Sequence, residues 1–183
     1  CALPISTATY QSTIFATGIQ GGFGFHFLPD GRVVVSERPG RIKIVARGGQ
    51  ISAPLAGLPA IYTRGPQGLF EVLPDRDFAR SRTLSLTYTA LPPGTSGDGA
   101  PRLAGELTVA RARLSDDDTR LENVTTLLRA EGIGGRAIQA RDGTLLVTSS
   151  IPAGVGIESS LWPQPQQLDS LMGKVLRINT DGS

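Results

Sequence analysis

Val, Ile, Leu, Phe and Thr occur in short clusters along this chain, separated by Gly, Pro and Asp at intervals of about eight to fifteen residues, the spacing of strands joined by turns. Such a pattern leaves little room for helix and reads as all-β. Phe23, Phe25 and Phe27 alternate with Gly24, His26 and Leu28, Pro29-Asp30-Gly31 supplies a turn, and a second run centres on Val33-Val34-Val35. Pro39-Gly40 turns the chain again into Arg41-Ile42-Lys43-Ile44-Val45, with Ile42 and Ile44 on one face. These three strands are expected to pair antiparallel. Further strands are expected over residues 68–73, 83–89, 103–114, 119–128, 136–140, 144–148 and 174–179. The one helical expectation is 165–172, where Leu168, Leu171 and Met172 fall at i, i+3 and i+4 ahead of Gly173.

Strand, Asp-Gly turn, strand is a repeated unit. Leu28-Pro29-Asp30-Gly31-Arg32-Val33-Val34-Val35-Ser36 is echoed by Ala140-Arg141-Asp142-Gly143-Thr144-Leu145-Leu146-Val147-Thr148, and Asp181-Gly182 closes the chain. Repeated antiparallel sheets build β-propellers, and a β-sandwich with Asp-Gly hairpins is the alternative that this pattern leaves open. At about 40 to 50 residues per blade the chain supplies about four blades at most, and loops such as 91–101 reduce this to about three.

Composition excludes several classes of function. The 183 residues carry 18 basic and 16 acidic side chains, the basic ones almost all arginines spread along the sequence, which is no nucleic-acid footprint. No stretch approaches the roughly 20 apolar residues of a membrane helix. With one histidine, His26, and one cysteine, Cys1, neither a Cys/His zinc cluster nor an internal disulfide can form. Asp116-Asp117-Asp118 lacks the alternate spacing of a calcium loop and reads as a solvated turn. Asn123-Val124-Thr125 fits a glycosylation sequon but falls inside an expected strand. His26 reads as a packed or surface residue rather than a catalytic one, and Trp162 as the cover of a core edge. Cys1 in first position fits a lipoprotein whose signal peptide has been removed, with an accidental chain boundary as the equal alternative.

Several segments together resemble the PQQ-dependent soluble glucose dehydrogenase and aldose sugar dehydrogenase family, also called the glucose/sorbosone dehydrogenase family. They are Gly24 to Arg32 with Glu37-Arg38-Pro39-Gly40-Arg41-Ile42, Gly65 to Val72 with Asp77-Phe78, and Gly134-Gly135-Arg136 with Asp142-Gly143. Gln166, Leu168 and the run Leu171-Met172-Gly173-Lys174-Val175-Leu176-Arg177-Ile178-Asn179 complete the set, with Asp181-Gly182-Ser183.

The resemblance implies a six-bladed β-propeller, periplasmic or secreted and anchored by lipid if Cys1 is acylated. It implies binding of pyrroloquinoline quinone (PQQ) with calcium, and oxidation of aldoses at the anomeric carbon by a histidine base and hydride transfer to the quinone. The family's base falls at Gly132, its acidic partner at Ser149 or Ser150 and its active-site glutamine at Pro66, with Gln67 one position late. Gln67 is therefore the candidate catalytic residue and Arg136 the candidate cofactor-binding residue; no metal ligand is assigned within the chain. Residues 1–183 are expected to form one partial propeller domain, completed by a C-terminal half or a partner chain. The alternative is a non-catalytic propeller module that binds carbohydrate or protein.

Overall fold

The computed structural model describes residues 10–95, 105–151 and 163–181. Ten strands make three antiparallel sheets. The first contains β1 (Gly22–Phe27), β2 (Val33–Glu37) and β3 (Arg41–Val45), paired in sequence order as the alternation and the two turns predict. The second contains β4 (Leu69–Pro74), β5 (Thr83–Ala90), β6 (Glu106–Leu114) and β7 (Leu121–Ala130). The third contains β8 (Ala137–Gln139), β9 (Leu145–Thr148) and β10 (Val175–Ile178). In the β1–β2 and β8–β9 hairpins the Asp-Gly pair does the same work: Asp30 and Asp142 accept from the backbone N–H two residues on, Arg32 and Thr144.

The three sheets stack face to face. β1 and β2 pack on β4, and β4 contacts β8, so the opening strand of each sheet lies next to the opening strand of its neighbour. This is the blade repeat of a β-propeller, and three blades are present. One core lies between the first and second sheets, around Val34, Ile42, Leu69, Leu84 and Leu86. A second joins Leu73, Leu107 and Val109 to Ala137, Leu145 and Val147 across the next gap. The middle sheet is thus covered on both sides. Ser85, Thr87 and Thr89, which alternate with leucines and a tyrosine as a solvent face would, are buried instead, and the Thr87 hydroxyl donates to the Gly135 carbonyl at 2.6 Å.

The outer face of the first sheet has no neighbouring sheet among the described residues. Phe23, Phe25 and Phe27 are 45, 62 and 70 % exposed there. His26 lies on the opposite side, facing the second sheet.

The helix expected over 165–172 does not form. Only a 3-10 turn, Gln164–Gln166, is present, and Gln167 is already extended. Leu168 is fully exposed and Leu171 partly so, leaving Met172 alone of the three buried, and a short stretch without a continuous packed stripe does not sustain a helix. Conversely α1 (Phe78–Ser81), a single turn anchored by buried Phe78, has no periodic signal in the sequence. The three aspartates form a turn, as expected, and Asp118 pairs with Arg32 and Arg82, joining the first two sheets. Asn123 sits within β7 with φ 53°. Trp162 and Cys1 lie outside the described residues.

Glu37 ties the first sheet to the segment before it. Its side chain is fully buried and accepts from the Gln20 amide at 2.7 Å, from Lys43 Nζ at 3.0 Å and from Arg41. Burial raises its pKa, but these donors outweigh burial and hold the carboxyl below its ordinary value of 4.5. A group lowered in this way contributes stability above its unfolded pKa and loses it as pH falls through the folded one. Urea midpoints are therefore expected to drop on acidification below about pH 4.5, with a shallower dependence in Glu37→Gln. Leu86→Ala, in the fully buried core, is expected to cost about 2–5 kcal/mol in the same measurement. Phe25→Ser is expected to stay within about 0.5 kcal/mol of the parent chain.

Candidate functional site

The loops that lead into the opening strands carry the residues singled out from sequence. Gln67 precedes β4, Gly132 to Arg136 precede β8, and Ser150 follows β9. Gly132 does more than lack a side chain. Its φ is 94°, and a Cβ there would overlap the Ser150 carbonyl oxygen and approach Met172 Cγ to 3.2 Å. The Gly132 carbonyl accepts from Leu107 N at 2.9 Å, and Ile133 exchanges two 2.9 Å backbone hydrogen bonds with Ser150. The position is a closed structural turn.

Ser150 donates to the neighbouring Ile151 carbonyl at 3.1 Å, so it orients no base. Gln67 is 1 % exposed and its side chain packs against Gly105 and Thr89. Arg136 is different: its side chain is 57 % exposed, and Nε lies 2.7 Å from Glu71 Oε2, an ion pair by distance with the N–H not aimed along the contact.

Glu71, in the middle of β4, is fully buried, and its other oxygen meets His26 Nε2 at 3.1 Å. Three sheets thus supply one side chain each to a His26–Glu71–Arg136 cluster. Gly24 makes room for it, because a Cβ at that position would overlap Glu71 Oε1. Ser36 holds the Gly24 backbone by accepting from its N–H at 2.9 Å while donating to the Phe70 carbonyl at 2.9 Å. The sequence signal for Glu71 is a single charge inside the apolar run Leu69-Phe70-Glu71-Val72-Leu73. A carboxylate there is tolerated only with partners.

Among the described residues no group of three His, Cys, Asp or Glu side chains could hold a metal ion. Of the positions the resemblance assigns, Arg136 alone offers exposed N–H groups suited to an anionic cofactor.

Three meander sheets packed one on the next through their opening strands are the blades of a β-propeller. The family described as Glucose / Sorbosone dehydrogenase matches residues 19–183, and the chain belongs to it. Aldose sugar dehydrogenase YliI of Escherichia coli (strain K12) is 29 % identical over 189 residues, covering 99 % of this chain and 47 % of that protein. A glucose dehydrogenase crystal structure superposes with a TM-score of 0.79 at 30 % identity, over 93 % of this chain and 47 % of that one. The PQQ-bound form of aldose sugar dehydrogenase from Streptomyces coelicolor shares the fold, with a TM-score of 0.74 at 24 % identity, over 92 % of this chain and 47 % of that one. The chain spans about half the length of the relatives it matches.

Gly132→Ala is expected to lower the unfolding free energy clearly more than Gly143→Ala. Gly143 has nearly the same φ, 89°, with open space around it, so both incur the left-handed penalty of about 1–2 kcal/mol but only Gly132 adds a steric clash. Paired urea curves measure the difference. Gly132→His meets the same obstacle and is not expected to restore a base.

Proposed function

We propose that residues 1–183 form the first three blades, a single partial domain, of a quinoprotein oxidoreductase that oxidises aldoses at the anomeric carbon. The observation that carries this reading is Arg136, half exposed at the start of β8 in a chain of this family. Its guanidinium would hold an anionic carboxylate of PQQ, which when bound supplies the acceptor for the sugar's hydride. Calcium, which the resemblance adds, would take its ligands from the rest of a six-bladed ring, provided by further chain or by a partner. Phe25 and Phe27, 62 and 70 % exposed beside the 14–19 segment, support such a completion, since an exposed apolar patch on a sheet face invites pairing. No helix of the described residues is long and apolar enough to cross a membrane. Export to the periplasm or beyond, with Cys1 as a lipid attachment point, belongs to the same proposal.

Equilibrium dialysis against PQQ, with and without calcium, tests it. The chain is expected to retain PQQ, and Arg136→Gln to weaken retention by at least about tenfold, the loss of one charged hydrogen bond. No retention under either condition overturns the assignment of Arg136 as a contact of PQQ in this chain.

A further inference from the structure

The chain's one imidazole is anchored at a single ring nitrogen. His26 Nε2 meets the fully buried carboxylate of Glu71, while Nδ1 has no hydrogen-bond partner among the described residues. In the neutral ring the carboxylate accepts Nε2–H, so the lone pair is left on Nδ1. The ring is not sealed in: its side chain is 27 % exposed and lines a groove of about 280 Å³ shared with Leu28, Pro29, Leu73, Asp75 and Arg76. Glu71 is itself held, by Arg136 on its other oxygen and by the space that Gly24 leaves. A ring that lines a groove, held at one nitrogen by a carboxylate that a third group fixes, has the arrangement of a general base and its positioning residues.

We propose that His26 accepts the proton of a sugar hydroxyl at Nδ1, standing in for the base that Gly132 cannot carry. Glu71 and Arg136 are positioning residues. The substrate O–H bond breaks, its electron pair stays on oxygen, and the proton forms Nδ1–H of an imidazolium whose charge Glu71 balances. The choice of an aldose rests on the reading of the previous section; the orientation of the ring does not.

Ring-15N histidine labelling of the 183-residue chain gives signals from His26 alone, because no other histidine is present. The expected spectrum shows the proton on Nε2 and a bare Nδ1, and D-glucose displaces the Nδ1 resonance saturably. In Glu71→Gln the two tautomers mix and most of the glucose-induced displacement is lost. A neutral ring protonated on Nδ1, or an Nδ1 signal that D-glucose leaves in place, overturns the proposal. Should Glu71→Gln not fold, the tautomer and the glucose titration of the parent chain decide. PQQ is absent throughout, so this result and PQQ retention stand or fall separately.

Discussion

The inner strands of the second sheet, β4 and β5, are covered on both faces, and a charged side chain buried there is tenable only where a neighbouring sheet supplies its partner. Leucines meet that cover by packing, and Thr87 by donating to Gly135 across the gap. Glu71 meets it with charge. A buried ionised carboxylate without partners costs several kcal/mol, so its position is tenable only where His26 arrives from one side and Arg136 from the other. Apolar burial brings the sheets together, and the carboxylate adds a requirement on how they are placed.

That requirement falls where the resemblance places the family's chemistry. The resemblance sets a base and an arginine on the loop from Gly132 to Arg136, and in this chain the backbone at Gly132 is closed round the position. The arginine turns onto Glu71 and so joins the only histidine in the chain. His26, from the first sheet, and Arg136, from the loop before β8, are brought to one carboxylate.

Much of the fold was legible because period-two alternation and Asp-Gly turns are local signals. All ten strands lie where those signals place them, with ends displaced by a few residues. The failures are equally physical. Leu168, Leu171 and Met172 have helical spacing, but only Met172 is buried, and α1 is too short to show any period. Ser85, Thr87 and Thr89 have the pattern of a solvent face and lie buried, because the pattern records alternation and not what covers it.

Residue order alone was enough to establish an all-β chain of repeated sheets and its family. Each of these depends on residues close together in the chain or on motifs read in order. That Gln67 faces inward, that Gly132 admits no side chain, and that His26, Glu71 and Arg136 meet are facts of the folded chain. Their separation along the chain is 45 residues from His26 to Glu71, and such a contact exists only once the sheets have stacked. No local pattern encodes it, because the energy that fixes it is the cost of leaving a buried carboxylate alone.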